Sequence, residues 1–299
     1  MSSMHWTGKV TPVAFSIGKV SVAWYGILIT IGMLISLAIC VRRFKRINVK
    51  SDDVLTLFLI CIPMAVIFAR LGYVVSNYKY YFTSPYDWDA FVNTIAIWKG
   101  GLTVMWGVPG GVLGGYIWCK MYKVDFVKAA DLVLPTVLIA QVIGRWGNFF
   151  NQELYGQPVT DPTHQWFPLA IFIADEGGWY QATFFYEGVL NFIGFVVLAY
   201  LYYHVDIKGM GTLSYPAWYC LVRGSLEFIR ADEPNVVDRA LGFNSVILFC
   251  YIAAAVCIGL IVFLGIRAKK KGQKIFYKKG IPPLPAVQPK KKTEELASL

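Results

Sequence analysis

The chain has 299 residues, 57% of them hydrophobic and 15% charged, with a formal net charge of +10. Soluble domains usually carry about 25% charged and about 45–50% apolar residues, so this composition excludes an ordinary soluble globular protein and indicates a polytopic membrane protein. Much of the excess charge lies in the stretch from Arg267 to Lys292, where it reads as a membrane-topology signal and not as a nucleic-acid-binding face.

In chain order, the first 26 residues, "MSSMHWTGKVTPVAFSIGKVSVAWYG", show no basic region, short apolar core and small-residue cleavage site in sequence, so no signal peptide is expected. A membrane crossing takes about 20 predominantly apolar residues. Seven segments qualify, at about 19–41, 54–76, 100–121, 128–147, 181–203, 210–229 and 244–266. The first contains "VAWYGIL", with Tyr25 near its start. The third, "WKGGLTVMWGVPGGVLGG", is rich in Gly and contains Pro109. It is either a tightly packed helix or a broken one lining a cavity. The sixth contains Arg223 and Glu227. After the seventh, "IPPLPAVQPKKK" reads as disordered.

The expected fold is an all-α integral membrane protein with seven transmembrane helices. One membrane domain covers residues 1–267, and a basic, disordered cytoplasmic tail covers 268–299. Basic connectors mark the cytoplasmic side: "VRRFKRINVK", "CKMYKVDFVK", "HVDIKG" and "RAKKKGQKIFYKKG". The opposite loops hold Tyr78, Tyr80, Tyr81, Trp88, Trp166, Trp179 and Tyr180, as an aromatic interface belt does. The N-terminus is therefore expected outside and the C-terminus inside. No internal repeat is visible, which weighs against transporters built from repeated halves.

A charge at the bilayer centre costs roughly 2.5–3.5 kcal/mol on insertion scales. Arg70, Arg145, Glu153, Glu187, Arg223, Glu227 and Arg230 nonetheless fall in or beside apolar segments, all toward the outer half of the membrane in this topology. Tyr219, Arg223 and Glu227 recur at i, i+4 and i+8, on one helical face. Arg145 and Asn148 share another at i, i+3. Such groups either pair as structural salt bridges or line a polar cavity opening to the outer half of the bilayer. Guanidinium groups there suit an anion, and within a membrane the obvious anion is a phospholipid headgroup.

The six Cys lie in or beside apolar runs without paired spacing and read as buried hydrophobes. The three His are far apart and lack partners at ligand spacing, so neither a metal site nor another cofactor is expected.

"GRWGNFFNQELYG" resembles the signature of the bacterial prolipoprotein diacylglyceryl transferase family, Gly-Arg-x-Gly-Asn-Phe-x-Asn-x-Glu-x-x-Gly. It matches at Gly144, Arg145, Gly147, Asn148, Phe149, Asn151, Glu153 and Gly156. "WYG" at Trp24–Gly26, "ARLGYV" at Ala69–Val74, "TFFYE" ending at Glu187 and "WYCLVRGSLEFIR" with Tyr219, Arg223, Glu227 and Arg230 also resemble family elements. The resemblance implies a multi-pass enzyme of the bacterial plasma (cytoplasmic, inner) membrane. It implies transfer of the diacylglyceryl group of phosphatidylglycerol to the lipobox cysteine of a prolipoprotein signal peptide, with release of glycerol 1-phosphate.

In that reading Arg145 and Arg223 bind the headgroup and stabilise the charge that grows on the departing phosphate. Glu153 and Glu227 hold the arginines. Asn148, Asn151 and Tyr25 contact headgroup hydroxyls, and Gly156, Tyr219, Arg70 and Glu187 complete the substrate site. The substrate thiol is the nucleophile, so the enzyme needs no reactive Cys of its own.

The sequence departs from the family pattern in two places. Met105 stands where many members carry His, with Trp106 where Gly is usual, and Gln181 and Ala182 replace a common His-Pro. Deprotonation of the thiol is then expected from water or Tyr25. Two other readings remain open from the sequence: a diverged paralogue that binds phosphatidylglycerol without transfer, and a lipid transporter using the same arginines.

Overall fold

The computed structural model describes residues 10–18, 20–82, 88–97, 100–230, 237–238, 243–278 and 280–281. In chain order it has β1 (Val13–Ile17), β2 (Val20–Ala23), α1 (Trp24–Phe44), α2 (Ser51–Ser76), α3 (Tyr78–Tyr81), α4 (Trp88–Ile95), α5 (Val104–Tyr122) and α6 (Phe126–Asn151). These are followed by β3 (Ala170–Ile173), β4 (Gly178–Gln181), α7 (Thr183–His204), α8 (Met210–Glu227), β5 (Val237–Asp238), β6 (Phe243–Asn244) and α9 (Ser245–Lys270). Among the described residues, five helices are long and apolar enough to cross a membrane: α1 with its extension to Ile47, α2, α6, α7 and α9. The other two expected spans, α5 and α8, are helical over 19 and 18 residues. Glycines dilute the apolar character of α5, and Arg223 and Glu227 that of α8.

The fold is mostly helical, and among the described residues three short two-stranded antiparallel pairings accompany the helices, where an all-α fold was expected. Contacts also divide the described residues into two compact units, those up to residue 40 with those from 130 to 281, and those from 41 to 129.

In the first unit, hairpin β3–β4 pairs Ala170 with Gln181 and Ile173 with Gly178, and turns through Gly177 at φ 64°. Its alternating Ile171 and Ile173 are buried and pack with Ala182 and Phe184 at the start of α7, flanked by Phe149, Phe167 and Phe185. Burying each such side chain contributes roughly 1.5–3 kcal/mol, so this core holds the hairpin against the end of α6. Toward the other end of α6, Ser36 on α1 donates to Thr136 Oγ1 at 2.7 Å, and an added Cβ at Gly32 would meet the Ala140 carbonyl at 3.0 Å.

The C-terminal stretch differs from its expected disorder as far as it is described. α9 runs past residue 268 to Lys270. Residues 271–278 and 280–281 then fold back on the end of α7. Phe276 bridges Val205, His204 Nδ1 lies 2.8 Å from the Tyr277 carbonyl, and Ile281 N donates to Tyr203 O. The rest of the expected tail, 282–299, lies outside the described residues.

In the second unit, α5 is a continuous helix packed along α2. A Cβ at Gly110 would stand 2.5 Å from the Met64 carbonyl, one at Gly114 3.0 Å from Cys61 Cα, and one at Gly107 3.3 Å from the Ala65 carbonyl. These glycines at i, i+3 and i+7 form one seam that lets the two backbones approach closely. Of the two readings of this Gly-rich segment, tight packing is the one observed.

Candidate functional site

In the first unit, α6 carries Arg145, Asn148 and Asn151 in its last two turns. The chain then reverses through Gln152 and Leu154, both left-handed at φ 51° and 57°. Non-Gly residues adopt that conformation only when neighbours hold them there. Here Gln152 Nε2 donates to Phe172 O at 3.0 Å, Gln152 Oε1 accepts from Ala174 N at 3.1 Å, and Leu154 O accepts from the Thr183 hydroxyl. The hairpin thus fixes the turn, and the turn directs Glu153 back toward the helix end. Glu153 Oε1 accepts from Asn148 Nδ2 at 3.0 Å and from Asn151 Nδ2 at 3.1 Å.

From there a polar chain runs inward. Arg145 Nη1 lies 3.4 Å from Asn148 Oδ1, and Arg145 Nη2 donates to Glu187 Oε1 on α7 in a salt bridge. On α8, Arg223 pairs with Glu227 one turn along. Both pairs are well shielded, with side chains 16% and 6% exposed in the first and 15% and 6% in the second. Tyr219 stands within electrostatic range of Glu187, Arg145 and Arg223, and Tyr25 of Glu153 and Arg145. Residues of α1, α6, α7 and α8 are therefore brought together around two guanidinium groups.

Glycines set the approach of the surrounding elements. Gly147 is buried beneath the ring of Tyr25, where any Cβ would overlap it. Trp24 beside it stacks on Phe150, with ring centroids 4.9 Å apart. Gly156 is also buried. Its N donates to Gln181 O at 2.9 Å, its backbone bridges Arg230, and a Cβ would meet Gln181 and Thr183 at 2.8 Å. Gly156, expected in the substrate site, is thus held at a close-packed position. Beside it Gln181 Oε1 is buried without a hydrogen-bond partner among the described residues.

Arg70 belongs to the second unit, and its guanidinium is committed locally. Nε donates to Thr94 O at 3.0 Å and Nη1 to Gly100 O at 2.6 Å and Gly101 O at 2.9 Å. Nη2 donates to Asn93 O at 2.5 Å and the Tyr81 hydroxyl at 3.3 Å. A guanidinium has five N–H donors, so these bonds engage all of them in holding the end of α4 and Gly100–Gly101; Arg70 was expected in the substrate site. Met105, at the position of the family His, is 75% exposed.

Three features of the first unit escape the sequence reading. Asp131 on α6 accepts from Gly209 N, Thr212 N and the Thr212 hydroxyl, each at 2.7 Å, and so caps the N-terminus of α8. Gln141 donates to the Tyr215 hydroxyl at 3.2 Å, linking α6 to α8 within the membrane segments. An apolar cavity of about 240 Å³ lies between Trp146 and Phe149 on α6 and Phe167, Ala170, Phe172 and Trp179 of the hairpin region. Asp131 is an acidic residue inside an apolar run, the one signal that could have found it.

Chemically, the cluster is a shielded pair of guanidinium groups, each tethered by a carboxylate and each with N–H donors left over among the described residues. It suits a phosphate that gains charge. Among the described residues no group of three or more His, Cys, Asp or Glu is placed to hold a metal ion.

The chain is similar to known proteins over most of its length. The family model described as prolipoprotein diacylglyceryl transferase matches residues 12–265. The phosphatidylglycerol–prolipoprotein diacylglyceryl transferase 1 of Clostridium perfringens is 38% identical over 271 residues, covering 89% of this chain and 99% of that one. The phosphatidylglycerol–prolipoprotein diacylglyceryl transferases of Bacillus licheniformis and Oceanobacillus iheyensis are 35% and 34% identical. They cover 87% and 82% of this chain, and 96% and 86% of their own.

Proposed function

The chain belongs to the prolipoprotein diacylglyceryl transferase family, and on that premise we propose that it moves the diacylglyceryl group of phosphatidylglycerol onto the lipobox cysteine of prolipoproteins. The observation that carries the reading is the polar chain Glu187–Arg145–Asn148–Glu153, with Arg223–Glu227 beside it, built from the family signature residues.

In the reaction, the substrate sulfur forms a bond to the terminal glycerol carbon as that carbon's bond to phosphate oxygen breaks. The phosphodiester monoanion becomes the monoester dianion of glycerol 1-phosphate. The thiol proton leaves to water, directly or through the Tyr25 hydroxyl, which hands on its own proton as it receives the new one; Gly147 admits that ring to the end of α6. Arg145 and Arg223 direct their remaining N–H groups to the phosphate and stabilise its second charge. The same guanidinium groups favour the thiolate over the thiol, whose ordinary pKa is about 8.5. Glu187 and Glu227 orient the arginines and balance their charge in the empty site. Without them a doubly charged product would be held too tightly.

The membrane arrangement supported is seven spans, with the N-terminus outside, the C-terminus cytoplasmic and the polar site toward the outer half of the plasma membrane. Helices α5 and α8 would be about 28 and 27 Å long, close to the hydrocarbon thickness of about 30 Å. α5 exposes Met105, Val108, Val112 and Ile117, while α8 turns Glu227 inward.

Purified protein given phosphatidylglycerol and a cysteine-containing signal peptide tests the reading, with glycerol 1-phosphate release as readout. Release with thioether formation supports it. Lipid translocation without release would favour the transporter, and binding without either the non-transferring paralogue.

A further inference from the structure

A second polar layer lies one helical turn beneath the arginine site. Gln141 precedes Arg145 by four residues on α6, Asn191 follows Glu187 by four on α7, and Tyr215 precedes Tyr219 by four on α8. Each therefore shares a helical face with a site residue, about 5.4 Å further along its helix from the end that carries the site. Trp218 Nε1 donates to Leu190 O at 3.1 Å, and its ring lies against Gly194, where any Cβ would overlap it. These contacts fix α8 on α7 at this depth, and Asn191 is fully buried there.

The hydrogen bonds of the layer run in one direction. Asn191 Nδ2 donates to Gln141 Oε1 in a long bond of 3.5 Å, which turns the Gln141 amide so that its Nε2 donates to the Tyr215 hydroxyl oxygen at 3.2 Å. With that oxygen engaged, the Tyr215 O–H points away from Gln141, and it has no acceptor among the described residues. At the other end, Asn191 Oδ1 is buried without a donor among the described residues. A partly satisfied polar network is worse for stability than an apolar core, so packing alone is a poor account of these three side chains. The rings of Tyr215 and Tyr219 stack with centroids 6.2 Å apart and planes at 15°, and both tyrosines stand within electrostatic range of Glu187.

Glu187 is the group that needs a donor. Its carboxylate is held by Arg145. A phosphate at Arg145 competes for the same guanidinium, and a side chain only 6% exposed has little water to turn to instead. We propose that Gln141, Tyr215 and Asn191 are positioning residues for lipid binding: as Arg145 turns to the phosphate, Tyr215 donates its free O–H to Glu187, oriented by Gln141 and through it by Asn191. The proposal rests on the part of the transferase reading that brings a lipid phosphate to Arg145. The opposite orientation of the two amides would spend the Tyr215 proton on Gln141 and leave Glu187 without it.

The test is a double-mutant cycle on the full-length protein in detergent, titrated with short-chain phosphatidylglycerol and followed by calorimetry. Tyr215→Phe keeps the stacked ring and removes only the hydroxyl. It should weaken the phosphatidylglycerol Kd at least about tenfold, the equivalent of one hydrogen bond to a charged group. In the Glu187→Gln background, which has no carboxylate to satisfy, the same change should weaken Kd by no more than about threefold. Gln141→Met should weaken binding in wild type too, and adding it to Tyr215→Phe should cost nothing more. That double variant serves in the same cycle if Tyr215→Phe alone does not fold. Equal losses in both backgrounds, as a merely structural role gives, would overturn the proposal. So would Tyr215→Phe binding as tightly as wild type. Wild type that binds phosphatidylglycerol without transferring its diacylglyceryl group overturns the transferase reading, while the cycle still decides the proposal. Wild type that does not bind the lipid overturns both.

Discussion

Arg145 on α6 and Glu187 on α7 form a shielded ion pair that ties together two helices of the first unit. Removing one member of a buried pair leaves an uncompensated charge and typically costs about 3–5 kcal/mol, whereas replacing both by apolar groups is often neutral. Glu187→Gln should therefore lower the thermal midpoint clearly, while the double change Arg145→Met with Glu187→Met should melt near wild type. Both Arg145→Ala and the double variant should lose at least about 100-fold in turnover, the usual effect of removing a donor to a developing anion. Turnover by the stable double variant would take Arg145 out of the chemistry. Thermal melts in detergent and glycerol 1-phosphate release read the two effects separately.

The Arg223–Glu227 pair on α8 leads to a kinetic expectation. Glu227 balances the guanidinium charge, and the product carries one more negative charge than the bound phosphodiester. Glu227→Gln should strengthen phosphate binding and slow departure of the dianion. The KM for phosphatidylglycerol should fall together with kcat, and a burst of product should appear in the first turnover. A rise in KM with no burst would show that Glu227 acts only by positioning Arg223. Arg223→Lys should not restore wild-type rates, because an ammonium lacks the planar fork that grips a phosphate.

Gly147 and Tyr25 pack where no side chain can intervene. Gly147→Ala should push the tyrosine ring off α6, at an overpacking cost of about 1–3 kcal/mol. If the Tyr25 hydroxyl takes part in the reaction, Gly147→Ala and Tyr25→Phe should lower kcat by similar factors, and the double variant should be no worse than either alone. Additive losses would show that the two residues act independently. Steady-state kinetics on the four proteins decide between these outcomes.

The legible part of the site is the part that violates its surroundings. Arg145, Arg223 and Glu227 stand out because apolar segments rarely hold such groups, and helical spacing already groups Tyr219 with Arg223 and Glu227. Glu187 is legible as a charge, but its pairing with Arg145 is not, because 42 residues separate them. Arg70 carries the same sequence signal as Arg145, yet it holds a local loop, since its carbonyl partners lie in backbone that no pattern reveals. Hairpin β3–β4 is hidden because strands of four residues, "AIFI" and "GWYQ", are too short to show an alternation in a chain this apolar.

Asp131 is the residue whose role the structure alone reveals. Its carboxylate accepts three hydrogen bonds from Gly209 and Thr212, standing in for the cap that the start of α8 does not supply from its own side chains. Gly211 lets α8 approach, since a Cβ there would run into the Asp131 backbone. Asp131 thus sets the register of α8 on α6, and through it the position of Arg223 relative to Arg145. Loss of a helix cap costs about 0.5–2 kcal/mol. Asp131→Ala should lower stability by that amount and raise the KM for phosphatidylglycerol. Asp131→Asn, which keeps one acceptor oxygen, should fall between Ala and wild type on both measures. Gly211→Val should reproduce the kinetic defect with the cap residue intact. Thermal melts and phospholipid KM values for the three variants test this. A stability loss with an unchanged KM would confine Asp131 to folding and leave the alignment of the two arginines to the other contacts of α8.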